Sequence, residues 1–82
     1  MKDKDDILRK LSELRTRAGA GEIRSPEEIG RFISELPIPA ELRFFLYQSI
    51  AEKGFISDTA KFSAENAADW VISEIKKELG EG

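Results

Sequence analysis

Cysteine and histidine are both missing from this chain, and their absence excludes more chemistry than any residue present suggests. Without cysteine no disulfide can staple the fold and no thiolate can hold a metal. Without histidine the commonest metal ligand is gone, along with the one side chain that titrates near neutrality unperturbed. Zinc, iron–sulfur and copper sites lose their usual donors. Ser-His-Asp and Cys-His nucleophile systems have no base. Carboxylates and lysines remain, but helix caps and ion pairs account for them, Glu27 and Glu28 included, and none stands out as a general acid or base. No D-x-[DN]-x-[DN]-G calcium loop occurs. The expectation is a protein that is not an enzyme and takes no metal or cofactor.

A long apolar run is also lacking. Nothing approaches the roughly 20 residues needed to cross a bilayer. The opening stretch Met1-Lys2-Asp3-Lys4-Asp5-Asp6 has no apolar core of a secretion signal. A cytoplasmic, soluble protein is expected. Internal repeats and low-complexity segments are absent, so the 82 residues read as one domain, 1–82, with 79–82 as a frayed tail. At this size folding buries only about 60–65% of the unfolded surface, and association with another surface would add stability.

Charge of one sign is scarce as well: the net charge is −3. It is unevenly spread, with six Lys/Arg against four Asp/Glu in residues 1–18 and three against six in residues 55–82. A basic first segment and an acidic last one predict pairing with each other inside the fold.

What is present is helical periodicity. Ile7, Leu8, Leu11, Leu14 and Ala18 make one stripe on a helix from about Asp3 to Ala18. Asp5–Arg9, Asp6–Lys10 and Glu13–Arg17 are acid-before-base pairs four apart, suited to a solvated outer face. Gly19-Ala20-Gly21 ends that helix. It lacks the third glycine and the preceding strand of a dinucleotide loop, so it reads as a connector. Ser25-Pro26-Glu27-Glu28 has the form of a capping box, with Ser25 as cap, Pro26 at the first helical position and Glu28 reaching back. Capping also accounts for Ser25 better than a phosphorylation site does. Ile29, Phe32, Ile33 and Leu36 then give the second helix its core face. Gly30 beside that face implies a close neighbour.

Pro37-Ile38-Pro39 breaks the chain before a third helix, about Pro39 to Lys53. Leu42, Phe45, Leu46, Ser49 and Ile50 form its first face, and Phe44, Tyr47 and Ala51 a second. Gly54 is placed to stop it, with Phe55 as the following apolar contact. Asp58 offers the start of a short fifth turn near residues 57–62, and Ser63 the start of the last helix. Ala64, Ala68, Val71, Ile72, Ile75 and Leu79 line that last helix, with Trp70 off its stripe. The fold class expected is all-α: a compact bundle or orthogonal array of four main helices.

A bundle needs one apolar stripe per helix, and helices three and four carry more than that. Phe44, Tyr47, Ala51, Phe62 and Trp70 are therefore the candidate partner-binding residues, since aromatic side chains dominate interface energetics. The function expected is a non-catalytic protein-interaction module: an adaptor, regulator or small inhibitor whose partner is another protein or a second copy of itself. Two alternatives stand beside it, a DNA-binding regulator of helix-turn-helix type and a homodimeric structural protein. DNA binding would require Arg9, Lys10, Arg15, Arg17 and Arg24 to converge as a basic stripe, because affinity rests on several phosphate contacts. The segment after Gly54 would have to be the recognition helix, yet it offers only Lys61. An acyl-carrier role would need serine in an Asp-Ser-Leu setting. The nearest stretch, Ile56-Ser57-Asp58-Thr59-Ala60, has the order wrong and no leucine following.

Overall fold

Periodicity alone places four helices, and a computed structural model, describing residues 4–59 and 61–80, has them in the expected order. They are α1 (Lys4–Gly19), α2 (Pro26–Ser34), α3 (Ala40–Lys53) and α4 (Ala64–Glu78). The fold is all-α, without a strand among the described residues. Its Cα radius of gyration is 12.1 Å, close to the roughly 12 Å of a compact chain this long.

The stripes read from the sequence form one core. Ile7, Leu11, Leu14 and Ala18 of α1, Ile29 and Ile33 of α2, and Leu46 and Ile50 of α3 are buried together with Ala67, Ala68, Val71 and Ile75 of α4. Leu8 and Phe32 sit at its edge, half-buried. α4 is central, packed along α1 on one side and against α2 on another, while α3 reaches the core chiefly through α2. Ala67 was not part of the predicted stripe. Together with Ala68 it is fully buried, because short side chains let α1 and α2 approach the α4 backbone closely. Leu79, read both on the last helix's stripe and as the start of the tail, caps α4 with its N–H on the Ile75 carbonyl and packs half-buried on the core, while 81–82 of that tail lie outside the described residues.

Among the described residues, the predicted charge complementarity between the first and last segments includes two ion pairs. Arg15 of α1 reaches Asp69 at 2.8 Å and Glu65 at 3.1 Å on α4. Within α1, Asp6 accepts both Lys10, at 3.6 Å, and Arg9. Arg9 thus turns to the carboxylate three residues back in place of Asp5, and Arg17 turns forward to Glu22 at 3.6 Å in place of Glu13.

The helix ends follow local chemistry, with two corrections. Ser25 caps α2 from an extended backbone, and Pro26 opens it as expected, but the serine side chain makes no capping hydrogen bond. Glu28 reaches past Ser25 to accept the Arg24 N–H at 2.6 Å, so the box is displaced by one residue. At α4 the Ser63 side chain does accept the Asn66 N–H, at 3.3 Å. Ser63→Ala should therefore cost about 1 kcal/mol in a urea melt, whereas Ser25→Ala should change stability by no more than a few tenths. Equal losses at both positions would contradict this assignment.

The second correction concerns residues 55–63. In place of a fifth helical turn, an isolated antiparallel bridge pairs Ile56 with Phe62. Ser57 N–H donates to the Lys61 carbonyl at 2.8 Å and Ser63 N–H to the Phe55 carbonyl at 2.7 Å. Gly54 ends α3 in the left-handed region, φ 66°, as expected. Phe55 follows it there at φ 51°, and two successive left-handed residues turn the chain too sharply to continue as helix.

Candidate docking surface

The third helix is apolar around more of its girth than one core can absorb. At 3.6 residues per turn its side chains leave in all directions, and only Leu46 and Ile50 are buried. Phe45, predicted for the core face, is 47% exposed, and Phe44 is 72% exposed. The predicted first face holds in part: Leu42 and Ser49 are half-buried.

On the side facing α2, Tyr47 lies over Gly30. A Cβ built on Gly30 would meet the tyrosine ring at 3.7 Å, ordinary van der Waals contact, so Tyr47 is the neighbour there but does not pack closely enough to require glycine. Because no side chain fills the floor at Gly30, an open groove of about 400 Å³ runs between the helices, lined by Pro26, Glu27 and Gly30 of α2 and Tyr47, Ile50 and Ala51 of α3. Its walls are mainly apolar, and Glu27 is its one ionisable carboxylate. Phe44 stands one turn before Tyr47 on the same helix.

On the opposite flank Trp70 is half-buried between two rings, Phe45 at 6.0 Å and Phe55 at 5.9 Å between centroids. The Lys53 ammonium lies over its face at 5.6 Å. Such tilted aromatic pairs and a cation on the indole face each contribute about 0.5–1.5 kcal/mol. Ile56, next along the chain, is 62% exposed.

The five candidate residues thus fall in three places. Tyr47 and Ala51 share the groove, with Phe44 beside it. Trp70 belongs to the aromatic cluster on the other flank. Phe62 precedes α4 and lies in the bridged loop, half-buried, beside a separate hollow that also touches Ala18 and Ile23. The sequence reading did not include Pro26, Glu27 and Gly30 in the site. The glycine inside an otherwise regular helix was the available signal.

Compared with known proteins, the chain matches no family model, no curated protein and no solved structure.

Four of the five cations weighed for phosphate contacts lie beside carboxylates. Arg9 and Lys10 share Asp6, Arg15 is held by two carboxylates, and Arg17 turns to Glu22. The groove between α1 and α4 has one carboxylate in its lining, Asp69, already paired with Arg15. Among the described residues no three Asp or Glu side chains converge as a metal site, and no helix is long and apolar enough to cross a membrane.

Proposed function

We propose that this domain is a non-catalytic protein-interaction module of the cytoplasm, an adaptor, regulator or small inhibitor that acts by occupancy. Its docking surface is the outer face of α3 together with the α2–α3 groove. The observation that carries the reading is Phe44, 72% exposed one turn before Tyr47, which lines an apolar groove. Burying such a side chain is worth about 1.5–3 kcal/mol, which a partner recovers and the isolated domain forgoes. The paired cations of α1 weigh against nucleic acid as the partner, since each carboxylate already neutralises charge that phosphate contacts would need.

Site-specific photocrosslinking in the protein's own cells tests the reading. A photoreactive phenylalanine at position 44 should give one discrete heavier adduct, and the same group at Glu13 on α1, outside the α2–α3 groove, should give none. An adduct at twice the chain's mass would favour the homodimer. Absence of any adduct at position 44, or equal labelling from position 13, would overturn the docking reading.

A further inference from the structure

We infer that the segment docking here is a cationic amphipathic helix, seated with its apolar side in the α2–α3 groove and its Lys or Arg residues over the carboxylates around it. The inference rests on the docking reading above and adds the partner's chemistry to it.

Charge complementarity carries the argument. Glu41, Phe44, Gln48, Ala51 and Glu52 are all exposed and fall within an arc of about 100° on α3. Glu41 and Glu52 both lie on the side of Phe44 away from the groove, and Glu27 lines the groove itself, so carboxylates stand on both margins of the apolar strip made by Phe44, Ala51 and Tyr47. The cations of these two helices are placed elsewhere. Arg43 donates to the Leu36 and Ile38 carbonyls, and Lys53 lies over Trp70. Arg31 stands on the other flank of α2, beside Glu28 and Glu35. Among the described residues of α2 and α3, this leaves an apolar surface whose remaining charges, Glu27, Glu41 and Glu52, are negative.

A second copy docked two-fold on the same face would bring one acidic patch against another, because a two-fold interface presents the same patch from both sides. A cationic partner has the opposite balance. Its conformation follows from the groove: a trough between two helices accepts a third helix, with anchors at i, i+3, i+4 and i+7.

The test uses a synthetic Leu/Lys helical peptide with leucines at that spacing, titrated into the isotope-labelled 82-residue chain and followed by amide chemical shifts. The expected shifts centre on Gly30, Tyr47 and Ala51. A Leu/Glu peptide with the same leucine pattern should not bind. Glu27→Lys with Glu52→Lys should weaken the Leu/Lys peptide about tenfold, and so should a rise in salt from low to high ionic strength, since exposed charges are screened. A thermal melt of the double variant shows that it remains folded. Equal binding of the two peptides, no binding of the Leu/Lys peptide, or shifts centred on the α1–α4 groove would each overturn the inference. If crosslinking from position 44 captures a partner through an acidic segment, the docking reading stands and the cationic helix falls. If neither crosslinking nor peptide binding occurs, both fall.

Discussion

Leu46→Ala should cost about 2–5 kcal/mol of folding stability, the range for truncating a fully buried leucine whose cavity relaxes only in part. An 82-residue domain has a total stability of roughly 4–12 kcal/mol at ordinary values per residue, so this one change removes a large share of it. The position is sensitive because of how α3 is held. Leu46 and Ile50 are its only buried residues, and the helix meets the core chiefly through α2, whereas α1 and α4 lie along one another. A urea titration read by Trp70 fluorescence should show the lowered midpoint, and Phe45 against the indole makes that signal sensitive to α3. Native-state hydrogen exchange should show α3 amides losing protection before those of α1 and α4, because sub-global opening follows the weakest packing. Uniform loss of protection across all four helices, or a cost well under 1 kcal/mol, would contradict the view that Leu46 anchors α3.

Arg43→Met should cost about 1–3 kcal/mol, the scale of hydrogen bonds made by a charged donor. The Arg43 side chain is half-buried and donates through Nη2 to the Ile38 carbonyl at 3.1 Å and the Leu36 carbonyl at 3.5 Å. Those carbonyls belong to Leu36, just past the end of α2, and to the Pro37-Ile38-Pro39 turn, where the prolines have no N–H to offer. One guanidinium therefore closes the corner between α2 and α3. Its Nε is buried without a partner, so methionine also removes an unsatisfied donor and the loss falls below that of a fully bonded arginine. Lysine keeps the charge but lacks the planar fork, so Arg43→Lys should recover only part of the stability. The partners are carbonyls, not carboxylates, so the cost should hardly change between low and high salt. A cost that vanishes in high salt would point instead to an ion pair and refute the assignment.

Both results bear on the docking surface, because α3 carries Phe44, Tyr47 and Ala51. The groove between α2 and α3 depends on how these two core residues and one corner hold α3 against α2. Gly30 sets the depth of the groove on the α2 side, with the Tyr47 ring 3.7 Å from where a Cβ would stand.

What the sequence determined by itself was the all-α class, the four helices and most of the core. A stripe such as Ile7, Leu11, Leu14 and Ala18 must face inward once the chain is helical, whatever lies opposite. Stops set by Gly54 and by Pro37-Ile38-Pro39 are equally local, since they depend on one residue's own backbone. Which of several apolar faces is covered was not local. Phe44 and Phe45 are adjacent and chemically identical, yet one stands open and the other leans on Trp70, because only the placement of α4 decides what an off-stripe aromatic meets. Trp70 and Phe62, grouped with Tyr47 in the sequence reading, were separated by the path of residues 55–63, whose bridge depends on atoms on both sides of the turn. Ala67 entered the core because helix–helix approach favours a short side chain at the crossing, which no single-helix pattern encodes. The groove itself is a relation between Gly30 and Tyr47, residues on different helices, so tertiary packing alone could create it.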